Sequence, residues 1–320
     1  MAAQELPRVL ITGVGGFVGS HMAEHCLRQG CQVWGVHRGT AELSSLLAAK
    51  IQLVQGDLRD SAFFRRLVDQ VRPHFVFHLA GWVSVPDAWK DPFALLSNNA
   101  QIDVNVLEAL RDSQARLLLP CSSEEYGGSA GDNALDESTP LAPRNPYALS
   151  KVNQDMLGEQ YARAYGMYIV RTRAFNHFGP RLAPGSALAN FARQLARIER
   201  GEQEPVVKVG NLAARRDYTD VRDIVRAYWL ALQGGCQAGE VYNVGSDQCR
   251  SMGELLDLLL SLSSVAVKIE VDPARMRPLD TPVMRGNSQR FRAATGWAPL
   301  IEIRTSLQDM LAECRGESVP

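Results

Sequence analysis

Several features are scarce in this 320-residue chain. Neither sign of charge is in surplus: 34 basic residues stand against 35 acidic ones, a formal net charge of −1. Nucleic acid and anionic membranes are bound through basic surplus, so neither is expected as a partner. No apolar run approaches the ~20 residues of a membrane-spanning helix. The opening Met1-Ala-Ala-Gln-Glu-Leu-Pro7 lacks the basic and apolar regions of a signal peptide. Cysteine is sparse: Cys26, Cys31, Cys121, Cys236, Cys249 and Cys314 are scattered, with no pair at CxxC or zinc-ligand spacing. A cytoplasmic protein without a metal is expected, with Cys26, Cys31 and Cys121 serving as small packed residues. No repeat or low-complexity linker is visible. The length suits one large core, or one core and a smaller lobe.

The chain is rich instead in strand-helix alternation, from residue 8 to about 172. That pattern argues for an α/β fold with a doubly wound parallel sheet of the Rossmann kind. Its first strand, Val9 to Ile11, runs into a glycine cluster, Gly13-Val-Gly-Gly16-Phe17-Val-Gly19, which opens a helix. Glycines there allow positive φ, close approach of a pyrophosphate and tight helix-strand packing. The helix N-terminus offers unpaired N–H groups to phosphates. Gly13, Gly16, Phe17 and Gly19 are therefore candidate dinucleotide contacts.

A further absence bears on the cofactor. The second strand, Gln32 to Val36, exits into His37-Arg38-Gly39 with no carboxylate for a ribose 2′-hydroxyl. Arg38 can pair with a 2′-phosphate, so NADP(H) is expected over NAD; the alternative is a solvated loop arginine. Asp57, with Leu58 after a third apolar run, either accepts from an adenine amino group or caps the helix starting near Ser61. The next strand, Phe75 to Leu79, ends at Ala80-Gly81, small residues that let the chain pass close to the cofactor. His78 reads as a packed strand-end histidine.

Tyr147 and Lys151 stand four residues apart in Arg144-Asn-Pro-Tyr-Ala-Leu-Ser-Lys151. On a helix they share one face. A phenol's ordinary pKa is about 10, and a nearby ammonium lowers it toward neutral proton exchange with an alcohol or ketone oxygen. Pro146 suits the first helical turn, where its missing N–H costs little.

With Pro120-Cys-Ser122-Ser123-Glu124-Glu125-Tyr126-Gly127 and the glycine turn, this run resembles the extended short-chain dehydrogenase/reductase family, whose members act mainly on nucleotide sugars. The resemblance spans essentially the whole chain. It implies that Ser122 bonds the reacting oxygen and Tyr147 is the acid/base. It implies too that Lys151 binds the nicotinamide ribose and tunes Tyr147, and that Asn99 lies near the cofactor. Glu124 matches the base of the family's 4,6-dehydratases. Ser123 stands where the dTDP-glucose type has Asp, whereas GDP-mannose dehydratases share Ser-Glu. Glu125 reads as a solvated side chain.

After Arg173 the pattern breaks into loops and a smaller C-terminal α/β substrate lobe. The expected division is residues 1–172 plus about 217–244 for NADP, and about 173–216 plus 245–320 for the nucleotide sugar. Arg173-Ala-Phe-Asn176-His177-Phe-Gly-Pro180 resembles the family's nucleotide-sugar loop. The segments around Lys208, Arg216, Arg226 and Glu240 are similar to those of GDP-4-keto-6-deoxy-D-mannose reductases. Asn176, Lys208, Arg216 and Arg277 are candidate substrate contacts, both arginines for diphosphate. For each arginine a surface ion pair is the alternative.

What the resemblance implies is an NADPH-dependent reduction giving GDP-D-rhamnose, in a homodimer or tetramer. A GDP-mannose 4,6-dehydratase using Glu124 is the alternative, and a non-catalytic NADP-binding protein a remote one. Two residues depart from pattern: Arg181, where such reductases continue with glycine, and Pro120, at the end of a central strand.

Overall fold

The parallel sheet begins at β1 (Arg8–Thr12), whose Val9 and Ile11 point to one face and Leu10 to the other. A computed structural model describes residues 5–39, 45–83, 88–129, 131–276 and 281–319. The other sheet strands are β2 (Gln32–His37), β3 (Gln52–Gln55), β4 (Phe75–His78), β5 (Arg116–Ser122), β6 (Ile169–Ala174) and β10 (Val241–Val244), in the order β10-β6-β5-β4-β1-β2-β3. The order reverses between β1 and β4. In such sheets ligands lie outside the strand carboxyl ends at that crevice.

Helices cover both faces because both faces are apolar. On one, α1 (Phe17–Arg28) packs on α7 (Val221–Ala231), burying Met22, Ile224, Tyr228 and Trp297 with Val9 and Ile11. On the other, α3 (Ser61–Val71), α4 (Pro92–Leu110) and α5 (Pro146–Tyr165) bury Phe64, Ile102 and Val106 with Leu10, Leu117 and Leu119. The short α2 is Ser45–Ala48. Asp60, not Asp57, caps α3, its side chain accepting from Phe63 N–H at 3.0 Å. Asp57 is instead held by Arg59, two residues along, so it is turned away from the helix end.

A third apolar cluster lies beyond the sheet. It joins α6 (Ala187–Glu199), β8 (Val206–Val209), α8 (Met252–Leu260) and α10 (Ile303–Arg315) through Leu195, Val207, Leu256 and Leu311. Ser251 and Glu254 form the capping box of α8. A small sheet is built from β7 (Asn176–Phe178), β9 (Arg215–Asp220), β11 (Cys249–Ser251) and β13 (Val283–Met284). β12 (Lys268–Val271) pairs with β8, and α9 (Gln289–Thr295) packs on β10. Among the described residues no helix is long and apolar enough to cross a membrane.

β5 does not end at Pro120 but runs on to Ser122. Arg116 N–H donates to His74 O and Leu117 N–H to Tyr168 O. Even-numbered residues therefore bond toward β4 and odd-numbered ones toward β6. The donor that Pro120 lacks falls on the β4 side, where pairing stops at Leu118 opposite Phe77. On the β6 side it continues to Ser122 opposite Ala174. Pro120 thus ends one ladder without cost to the other.

Candidate active site

The glycine turn closes on backbone, not on side chains. Gly13 has φ +70, and a Cβ there would meet Ala80 N at 2.8 Å. A Cβ on Gly19 would meet Gly13 O at 2.2 Å, so α1 starts directly against the turn. Gly16 is the N-cap of α1 and no side chain caps it. The first N–H groups of the helix, from Phe17 to Gly19, are thereby left for an anionic ligand. The Phe17 ring stacks on His177, with centroids 6.0 Å apart and planes at 11°.

At the β2 and β3 ends, Gly56 N–H donates to His37 O at 2.9 Å, bringing Arg38 beside Asp57. Arg38 is exposed. Asp57 is held by Arg59 in a forked pair at 2.6 and 3.0 Å, and this bond, with help from Arg38, keeps its carboxyl below the usual range. Leu58 is buried in the core and its carbonyl accepts from Asn105. Ala80 N–H donates to Thr12 Oγ1 at 3.1 Å. Asn99 is buried; its side chain bonds Trp82 N at 2.9 Å, Trp82 O at 3.1 Å and Ser150 Oγ at 3.1 Å. It ties the loop after β4 to α5.

Asn145 and Pro146 start α5 and so place Tyr147 and Lys151 on its first turns. Asn145 Oδ1 accepts from Ala148 N–H at 2.8 Å, and its Nδ2 donates to Glu124 Oε2 at 3.1 Å. Ser122 ends β5 and caps the short 3-10 turn Ser123–Tyr126: its Oγ accepts from Glu124 N–H at 3.2 Å, and Glu125 Oε1 accepts from Ser122 N–H at 2.7 Å. The Tyr147 side chain stands beside Ser122, Glu124 and Glu125, each of which bears on its phenol. Lys151 Nζ donates to Pro120 O at 2.7 Å and to Gln154 Oε1 at 2.8 Å.

The Tyr147 phenol is raised above its ordinary value, not lowered as the Tyr–Lys spacing predicts. Burial is the largest cause, Glu124, Glu125 and Cys121 add to it, and only the neighbouring Ser122 hydroxyl opposes. The Lys151 ammonium is engaged by Pro120 and Gln154 instead. A second correction concerns Glu125, which is fully buried rather than solvated. Burial and the neighbouring Asp155 push its carboxyl up, while Arg173, 3.3 Å away, opposes. Asp155 pairs with Arg173 at 2.7 Å and with Arg171. This buried cluster fixes the end of β5 against α5 and β6.

The candidate substrate residues are less gathered. Ser123 is buried. Asn176 on β7 and the buried Arg216 on β9 share the small sheet, Asn176 facing Tyr218 in register. Lys208 is exposed on β8, opposite Glu270 of β12 in a different sheet. Arg277 lies outside the described residues. Arg181 takes left-handed backbone, φ +68, and bonds Glu24 of α1 at 2.7 Å.

Sequence reasoning passed over Asn145, took Glu125 for a solvated side chain, and passed over Arg59 and Gln154. The first two carried a signal. Asn before Pro146 is a helix cap, and Ser122-x-x-Glu125 is a capping box. Arg59 and Gln154 carried none, since each matters only through a partner distant from its own motif.

The glycine turn, the sheet order and the Ser122–Tyr147–Lys151 arrangement together define an oxidoreductase of the extended short-chain dehydrogenase/reductase class. The family model for GDP-mannose 4,6 dehydratase matches residues 10–310. GDP-6-deoxy-D-mannose reductase of Pseudomonas aeruginosa is 35% identical, over 96% of each chain. GDP-mannose 4,6 dehydratase 1 of Arabidopsis thaliana is 28% identical, over 95% of this chain and 88% of its own. A solved structure of RMD from Pseudomonas aeruginosa complexed with NADPH superposes with a TM-score of 0.84 at 32% identity, covering 97% of this chain and 99% of that one. The chain belongs to the GDP-mannose 4,6 dehydratase family.

Proposed function

We propose that the protein is an NADPH-dependent reductase that converts the C4 ketone of GDP-4-keto-6-deoxy-D-mannose to the alcohol of GDP-D-rhamnose. The observation that carries this reading is the convergence of Ser122, at the end of β5, with Tyr147 and Lys151, on the first turns of α5, where Lys151 is fixed by the carbonyl of Pro120 in that same strand. Reducing a ketone requires a proton donor at the oxygen, and the Tyr147 phenol carries its proton at neutral pH. The higher-identity relative being a reductase supports the same choice.

The chain fits the cofactor at two places. The Gly13 and Gly19 cradle, which any Cβ would fill, suits a pyrophosphate, and Arg38 suits a 2′-phosphate. NADPH held there would supply the hydride for C4. Ser122 donates a hydrogen bond to the carbonyl oxygen and orients it. Tyr147 then transfers its hydroxyl proton to that oxygen as the C–O double bond becomes single. Lys151 stabilises the tyrosinate left behind. Asn176 and Arg216, with Arg277, are assigned to the substrate diphosphate and sugar, on the lobe formed by about 173–216 and 245–320. A homodimer through α4 and α5 is part of the proposal, supported by exposed Phe93, Val104, Leu149 and Met156; sedimentation velocity checks it.

A second reading is favoured by Glu124, held by Asn145 close enough to Tyr147 to raise it. That carboxylate could serve a 4,6-dehydratase as base. Purified protein incubated with GDP-mannose separates the two. A 4-keto-6-deoxy product without added NADPH establishes the dehydratase. Turnover only with the keto sugar and NADPH establishes the reductase, and Lys151→Met should then lose most of it.

A further inference from the structure

Five polar side chains between the sheet and the helices α4 and α5 form one continuous hydrogen-bonded row. Thr12 Oγ1, which accepts from Ala80 N–H, lies 2.8 Å from His78 Nδ1. His78 Nε2 lies 3.0 Å from Asp103 Oδ1. The same Oδ1 accepts from Gln154 Nε2 at 2.8 Å, and Gln154 Oε1 accepts from Lys151 Nζ at 2.8 Å. Thr12, His78, Asp103 and Gln154 are 0%, 1%, 2% and 3% exposed, so water does not share these bonds. The row runs from the end of β1, behind the glycine turn, through α4 to the lysine on α5.

The sense of the donors from Lys151 to His78 follows from Lys151 and Asp103. An ammonium only donates, so Gln154 presents oxygen to Lys151. Its NH₂ then needs an acceptor, and Asp103 Oδ1 supplies one. An ionised Asp103 only accepts, so His78 carries a proton on Nε2. On its other side His78 Nδ1 meets the Thr12 hydroxyl, whose oxygen accepts from Ala80 N–H. A reversed Gln154 would set its NH₂ against the ammonium and its oxygen against the carboxylate, two repulsive contacts. The amide is therefore held in one orientation.

We propose that Asp103 is a positioning residue for Lys151. It locks the Gln154 amide with its oxygen toward the ammonium and so, with the Pro120 carbonyl, selects one place for Nζ. A lysine stem has several free torsions, and two fixed acceptors restrict them in advance of binding. Asp103 and His78 act through Gln154. The proposal rests on the reductase reading only for the role given to Lys151 toward cofactor and Tyr147.

The test uses the full chain and NADPH titrated by its fluorescence, with kcat measured on the keto sugar. Gln154→Met keeps the shape and removes the amide. It should weaken NADPH about fivefold and lower kcat about tenfold, with the melting temperature recorded beside both. Asp103→Asn still offers Gln154 an oxygen but is no longer an acceptor only, and should lose about twofold in each constant, less than Gln154→Met does. Asp103→Leu lacks it and should match Gln154→Met. If Asp103→Leu does not fold, the contrast of Gln154→Met with Asp103→Asn decides. Gln154→Met binding NADPH as wild type does, or Asp103→Asn losing as much as Gln154→Met, overturns the assignment. NADPH binding needs no sugar. A wild type that binds NADPH but reduces no 4-keto sugar therefore defeats the reductase reading, while the titration still reports on the row.

Discussion

Reversing the charge at residue 38 should reverse the cofactor preference. Arg38 is exposed at the end of β2 beside Asp57. Arg59 is committed to Asp57 at 2.6 Å, so Arg38 is the guanidinium offered to a 2′-phosphate. A charge-assisted hydrogen bond is worth about 1.5–3 kcal/mol. Exposure and salt reduce that to about 1 kcal/mol. An Asp in its place adds phosphate repulsion of about 1 kcal/mol at the same screening. Arg38→Asp should therefore weaken NADPH by about 2 kcal/mol, roughly 30-fold in Kd. NADH, which has no 2′-phosphate, should change by less than about twofold. Fluorescence titration gives both constants, and kcat/KM with each cofactor gives the preference. The NADPH effect should shrink as ionic strength rises. An unchanged NADPH-to-NADH ratio would refute the argument, since no other step depends on the sign of that charge.

Three further outcomes follow from the geometry. Tyr147→Phe removes the proton donor but not the fold, and should lower kcat about 10²–10⁴-fold with NADPH affinity retained; single-turnover reduction of the keto sugar measures it. Gly19→Ala forces a Cβ against Gly13 O and should cost about 1–3 kcal/mol of stability together with NADPH affinity, read by thermal melts and titration. Asp217 is buried, and burial pushes its carboxyl up to about 6 although Ser246 and Asp247 donate to it. Its folded pKa is raised, so its contribution to stability is full below about pH 4 and is lost as pH rises through about 6, a swing of about 3 kcal/mol. Melting curves should show Asp217→Asn gaining on wild type between those pH values; a constant difference would show that Asp217 does not titrate there.

The parts legible in the sequence were those encoded locally. Val9 to Ile11 followed by Gly13, Gly16 and Gly19 announces a strand, a turn and a helix because each residue acts within a few positions of itself. The same holds for Pro146 at the start of α5. The small sheet was not legible, since β7, β9, β11 and β13 are two to six residues each and come from distant parts of the chain. Their pairing is decided by tertiary contacts and not by period. The direction of the Tyr147 shift was hidden for a related reason. Spacing shows that Lys151 is near, but only the packed site shows that burial, Glu124 and Glu125 outweigh it and that Pro120 and Gln154 have claimed the ammonium.

The two residues that break local rules are explained by what they join. Pro120 gives up a donor where the β4 ladder has ended, and its carbonyl then faces Lys151. Arg181 holds a left-handed conformation, which costs a non-glycine residue about 1–2 kcal/mol. Its half-buried fork to Glu24 returns about 1 kcal/mol at most. The balance comes from burial and hydrogen bonds around His21. Burial, with the Arg181 charge, lowers that imidazole to about 4, so it is neutral. Its Nε2–H then donates to Pro180 O at 2.9 Å, and its bare Nδ1 accepts from Arg181 at 2.6 Å. Arg181 N–H also donates to Glu313 of α10 at 2.7 Å. The strained residue thus ties the Asn176 loop to the helix that opens at the glycine turn and to the C-terminal helix. A glycine would relieve the backbone and lose all the side-chain bonds, which accounts for arginine at a position whose backbone favours glycine.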